Sequence, residues 1–172
     1  MNRIVNLKEE YQKALDELLQ EPTSWDAYDE LEMPGLDWRL WDSIKDLDFA
    51  WSFVKDLIKM AKKKRKYNKY SQLGEIFKLI DEAIGFLDPE HWKGSHKLLM
   101  NVTTESANLQ KALVKLEKAN KIYMASYLDI SIDIETQRSK SWVMVTPIIA
   151  KHLRFAIHGL KEYLKASSNT AN

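Results

Sequence analysis

Apolar residues recur three and four positions apart through most of this chain, a spacing that predicts helices nearly throughout. The most regular run is Leu99, Val102, Ser106, Leu109, Leu113, Leu116, Asn120, Tyr123 and Tyr127, which predicts one helix from Ser95 to about Leu128. A second seam, Ile44, Leu47, Trp51, Val54, Ile58 and Ala61, is spaced 3, 4, 3, 4, 3. Trp38, Trp41, Phe53 and Leu57 widen it, so the helix that carries it is expected to touch several neighbours. Leu73, Ile76, Phe77, Ile80, Ala83, Ile84 and Leu87 predict a third helix over Gln72 to Leu87, ended by Asp88-Pro89. A fourth is expected from Ser141 to about Lys165, with Trp142, Val145, Ile149, Leu153, Ala156, Leu160 and Leu164 inward. Pro147 either sits in the first turn of a helix capped by Thr146 or kinks a longer one.

Weaker patterns lie at the start. Leu7, Tyr11, Ala14 and Leu18 predict a helix over Asn2 to about Gln20, and Thr23-Ser24 can cap a short one from Trp25 to about Glu32. Met33-Pro34-Gly35 reads as a turn. Between Asp129 and Lys140, Ile130, Ile132 and Ile134 alternate with polar residues in a strand-like period. No second strand is evident, so this segment is expected to be a connection or continued helix. The fold class is therefore all-α: one domain over residues 1–172, a bundle of about five or six helices, two of them long, ending in a frayed tail at 167–172.

Composition supports this reading and narrows the chemistry. Five Gly and four Pro are few for 172 residues, which disfavours a strand-rich fold with many tight turns. The absence of cysteine excludes disulfides, thiolate metal sites and cysteine nucleophiles, and suits a cytoplasmic protein. Neither a secretory signal nor a run of ~20 apolar residues is visible, so no membrane contact is expected.

The net charge of +1 hides an uneven distribution. Residues 1–50 carry 5 Lys/Arg against 13 Asp/Glu, net −8, and residues 51–172 carry 21 against 12, net +9. Two features stand out. Lys62, Lys63, Lys64, Arg65 and Lys66 are consecutive, with Lys59 and Lys69 flanking and Tyr67 and Tyr70 beside them. Cations this dense attract phosphate, and tyrosines among them can stack on exposed bases. Cations at a helix C-terminus also simply complement the macrodipole. Further cations from Lys118 to Lys165 would extend the patch if they share its face. Upstream, the block from Glu21 to Phe49 holds nine acids around Trp25, Trp38 and Trp41. With Asp26, Asp29 and Glu30 it could serve as a clamp for a basic protein, or as ordinary core tryptophan beside a solvated acidic face.

Motifs for catalysis are missing. His91, His96, His152 and His158 lack the spacing that puts two imidazoles on one helix face, and Glu-x-x-His is absent. Arg154 and His158 resemble the Arg/His pair of the HEPN ribonucleases, but that motif needs a longer interval. Acid pairs four apart, Asp26/Glu30, Asp42/Asp46 and Asp129/Asp133, could hold Mg²⁺ only where two pairs face each other. No cofactor and no metal are expected. The sequence points first to a non-enzymatic helical binding protein, a subunit or adaptor touching a nucleic-acid backbone through its basic helix end. An inhibitor or immunity-type protein that takes a basic partner on its acidic tryptophan block comes second. An all-α metal-dependent hydrolase is third. Polar Ser106 and Asn120 in an apolar seam face a loop or water, or set register in a homodimer.

Overall fold

A computed structural model describes residues 38–87, 105–135 and 145–170, together with Glu9 and Lys13. All regular structure among them is helical: α1 (Trp38–Lys63), α2 (Gln72–Leu87), α3 (Ser106–Ile130), a π turn (Ser131–Glu135) that continues α3, and α4 (Val145–Thr170). Glu9 and Lys13 have helical backbone and exposed side chains, as the first expected helix requires. The rest of that helix, the short helix at 25–32 and the turn at 33–35 lie outside the described residues.

The four helices form a ring in which each packs against its two neighbours: α1 on α2, α2 on α3, α3 on α4 and α4 back on α1. Ion pairs give the direction. Lys115 of α3 meets Glu82 of α2 at 3.0 Å while Lys118 meets Glu75 at 3.9 Å, so rising numbers on α3 match falling numbers on α2. Lys161 of α4 reaches Glu117 of α3 at 3.3 Å, whereas Tyr123 Oη donates to the Thr146 carbonyl at 2.6 Å, an antiparallel pair again.

Three-and-four spacing builds the core. Leu40, Ile44, Leu47, Ala50, Val54, Leu57 and Ala61 of α1 are fully or almost fully buried. Ile76, Ile80 and Ile84 of α2, Leu109, Leu116 and Tyr123 of α3, and Ile149, Leu153 and Leu160 of α4 complete it. Each such aliphatic side chain contributes about 1.5–3 kcal/mol by leaving water. Truncation of one in the middle, Leu57→Ala for example, costs about 3 kcal/mol because its cavity cannot fully collapse. Trp51 and Ile58, expected in the seam, are only half-buried, since the ring of helices turns that edge of α1 toward the rim.

Several expected boundaries change. α3 begins at Ser106, because the backbone of Glu105 is extended (φ −65°, ψ 119°); Leu99 and Val102, at the start of the expected run, lie outside the described residues. Ser106 is its exposed first residue and Asn120 is half-buried. Among the described residues three helices are long: α1, α3 and α4 have 26, 25 and 26 residues, about 38 Å each at 1.5 Å per residue. The isoleucine alternation is continued helix. In it Ile130 and Ile134 fall four apart and are both buried, while Ile132 is half-buried. Pro147 lies in the first turn of α4, where its missing N–H costs no intrahelical bond. α4 runs on to Thr170, past the last apolar position of its seam.

Candidate functional site

The connection from α1 to α2 is built around a left-handed stop. Arg65 has φ 57°, the conformation a helix C-terminus most often gives to glycine. Its N–H donates to the Lys62 carbonyl at 3.0 Å, and the Lys66 N–H reaches back to the Ala61 carbonyl at 2.8 Å. These two bonds close the last turn of α1 and turn the chain sharply. Tight turns at Lys66–Tyr70 then lead into α2, whose first N–H groups donate to Tyr70 and Ser71 carbonyls at 3.0 Å.

The cations sort themselves on this frame. Lys59, Lys62, Lys63, Arg65 and Lys69 are exposed; Lys64 and Lys66 are half-buried. Lys64 Nζ donates to the Ile134 carbonyl on the π turn. Lys69 pairs with Asp133 of the same turn at 2.8 Å. Among the described residues, no carboxylate lies within ion-pair distance of Lys59, Lys62, Lys63, Arg65 or Lys66. A compact group of exposed cations thus occupies one corner of the bundle. Among the described residues, the acid paired there is Asp133, from α3's extension.

Neither tyrosine stands clear as a stacking platform. Tyr70 is 4 % exposed, its hydroxyl donates to the Asp133 carboxylate, and the Asp129 carbonyl lies 3.4 Å away. Burial, then Asp133, push its phenol up to about 12. Tyr67 is half-buried across Gly74 and carries Lys62 Nζ 5.0 Å above its ring. Lys69 Nζ sits 5.3 Å over Tyr70 in the same way. Cation–π contacts of this kind hold lysine stems in place while their heads face water.

Of the more distant cations, Lys118 and Lys161 are paired with Glu75 and Glu117, and Arg154 and Lys165 are exposed on α4. Arg138 and Lys140 lie outside the described residues. So do Trp25, Asp26, Asp29 and Glu30 of the acidic block; Trp38 and Trp41 lie in the first turn of α1, and their side chains are outside the described ones.

A second constellation lies between α1 and α4. Asp46 is 5 % exposed and its Oδ1 sits 2.9 Å from Nδ1 of His152. Phe49 and Phe53 stack on the same imidazole, with centroids at 5.1 and 6.1 Å. Asp42, one turn earlier, is 4 % exposed. Among the described residues, Oδ2 of Asp42 and Oδ2 of Asp46 have no hydrogen-bond partner. Burial pushes both carboxyls above the usual range. For Asp42 the nearby Asp46 charge adds to this and Lys45 opposes it. For Asp46 the bond and charge of His152 oppose it, with Lys45 and Lys151. No group of three or more His, Asp or Glu among the described residues could hold a metal ion. The Asp42/Asp46 and Asp129/Asp133 pairs have separate partners.

Two features escaped sequence reading. Asp133 stood out only as half of an acid pair, and His152 only as a histidine without a spaced mate. Their partners are 64 and 106 residues away, with no local signal to join them.

The described fold is thus an all-α antiparallel bundle with a cationic corner, and no helix in it is long and apolar enough to cross a membrane. The chain matches no protein-family model, no curated protein and no solved structure.

Proposed function

We propose that this protein is a non-enzymatic binding protein that contacts a nucleic-acid phosphate backbone through the corner where α1 turns into α2. The observation that carries the reading is the exposed group Lys59, Lys62, Lys63 and Arg65, with no carboxylate among the described residues in ion-pair reach. Their density exceeds what a helix end needs to complement its dipole, and like charges held together repel. Phosphates relieve that repulsion and release counterions on binding. Base reading is not part of the proposal, since Tyr70 is buried and Tyr67 is packed on Gly74. A structural subunit or adaptor of a nucleoprotein assembly fits contacts that hold without selecting sequence.

The test is affinity for a mixed-sequence DNA duplex measured across a salt titration. Replacing Lys62, Lys63, Arg65 and Lys66 by Gln should weaken binding and reduce the log–log salt slope by about 0.9 for each phosphate no longer neutralised. Unchanged affinity, or no binding by the native chain at low salt, removes the reading. Co-purification of a stoichiometric protein with no excess nucleic-acid absorbance would favour a protein partner instead. Two of the nine acids in the acidic tryptophan block, Asp42 and Asp46, are buried; the residues that would make its interface have side chains outside the described ones.

A further inference from the structure

The basic corner carries an anion of its own. Asp133 accepts from Lys69 Nζ at 2.8 Å and from the Tyr70 hydroxyl, and Lys66 stands near enough for its charge to act on it. Burial raises this carboxyl, but the bonds from Lys69 and Tyr70 and the two lysine charges more than offset that and hold it below the usual range. It is therefore ionised at neutral pH. One residue further on, the Ile134 carbonyl takes Lys64. Of the seven cations between 59 and 69, two are thus turned toward the end of α3, and a full negative charge lies between the turn and the π segment.

Carboxylate and phosphate oxygens offer an ammonium the same kind of charge-assisted acceptor. We propose that Asp133 is an internal competitor for the basic corner, a carboxylate that engages Lys69 where a nucleic-acid phosphate would otherwise do so and sets how tightly the corner binds. The proposal rests on the phosphate-backbone reading above. Two features suit it to this role. The Lys69–Asp133 pair is exchangeable, because the lysine side chain is 67 % exposed and exposed pairs hold weakly. Asp133 itself is anchored: the buried Tyr70 holds it, and the π turn is tied down by Lys64 on one side and by the buried Ser131–Thr146 hydroxyl contact on the other. The competitor stays fixed while the lysine can leave. π segments inside α-helices are frequent at functional positions, and here one places Ser131, Asp133 and Ile134 toward different partners.

The experiment is a double-mutant cycle on the full chain with a mixed-sequence DNA duplex, read as affinity and salt slope. Asp133→Asn removes the charge and keeps an oxygen for Tyr70. It should tighten binding about threefold or more at ~50 mM salt and steepen the slope by about 0.9 as Lys69 joins the contact. Lys69→Gln should leave the slope of the native chain unchanged, but abolish the gain in the Asp133→Asn background. Lys63→Gln should flatten the slope by about 0.9 in either background. If the native chain binds with a slope that depends on Lys63, yet Asp133→Asn changes nothing, this inference is overturned and the reading beneath it survives. If no variant binds duplex at low salt, the reading falls and this inference with it. Should Asp133→Asn fail to fold, Lys69→Gln alone decides: a flattening equal to that of Lys63→Gln overturns the competitor role, and an unchanged slope supports it.

Discussion

His152 on α4 and Asp46 on α1 meet at 2.9 Å in the interface between their helices, with Asp42 one turn away and two carboxylate oxygens unpartnered among the described residues. Removing the imidazole leaves Asp46 Oδ1 buried without its hydrogen-bond partner. His152→Ala should therefore cost about 1–3 kcal/mol in urea unfolding at neutral pH. Asp42→Asn should do the opposite and stabilise, because the native carboxylate there is desolvated and faces another acid. The sign of the pH dependence follows. A carboxyl raised in the folded state penalises folding once ionised, and that penalty fades as pH falls through the raised value toward the ordinary 3.8. The advantage of Asp42→Asn over the native chain should be greatest at neutral pH and shrink steadily on acidification. A constant gap across that window would show that Asp42 is not charged and buried together.

Gly74 and Gly85 both lie in α2, yet they should respond differently to alanine. A Cβ at Gly85 meets nothing within 4 Å, so Gly85→Ala should stabilise by about 1 kcal/mol through helix propensity. A Cβ at Gly74 collides with the Tyr67 hydroxyl, and the next atom, Cζ, is 3.7 Å away. Gly74→Ala should gain less than Gly85→Ala, since the ring must shift. In a Tyr67→Phe background the full gain should return. Thermal melts of the four variants decide it.

Arg65 occupies a backbone conformation that glycine adopts at no steric cost. Arg65→Gly should raise stability by roughly 0.5–1 kcal/mol, judged by the usual penalty for a side chain in that region. The same change should weaken duplex binding. A substitution that improves folding and impairs binding would mark the strain as retained for the charge it presents; a drop in stability would mean that the side chain makes interactions that outweigh the strain.

At high pH the Tyr70–Asp133 bond should control the onset of unfolding. The phenol is pushed up to about 12 in the folded protein, against an ordinary 10.0 in the unfolded chain. The unfolded state therefore releases its proton first, and stability should fall as pH rises from about 10 toward 12. Lys69, raised mainly by its bond to Asp133, adds a decline of the same sign as pH passes its ordinary 10.5. Tyr70→Phe should flatten the alkaline limb of a stability–pH curve relative to the native chain.

The periodicity of α2 locates its ends at Gln72 and Leu87, where the structure has them, because Asp88-Pro89 and the polar turn before it are local stop signals. The spacing across 99–127 is a weaker guide. Apolar residues fall at helical intervals on both sides of Glu105, and nothing in that count registers an extended residue between them. The isoleucines at 130, 132 and 134 mislead in the other direction: two periods coexist in one short stretch, and only burial on the bundle selects the helical one. In the basic corner, the cluster of cations is plain in the sequence, but their individual fates are not. Lys64 and Lys69 turn to the π segment while Lys62, Lys63 and Arg65 face outward, because the left-handed stop at Arg65 redirects the chain within a few residues.

Helical class, the apolar faces and the crowding of positive charge after Lys59 are set by the chain's own order, since helix periodicity and charge density act over a few residues. Which helix packs on which, the seating of Asp133 among the lysines and the meeting of Asp46 with His152 belong to the tertiary structure. Those pairings join residues 64 and 106 positions apart, and only the packing of antiparallel helices brings such distant groups within bonding distance.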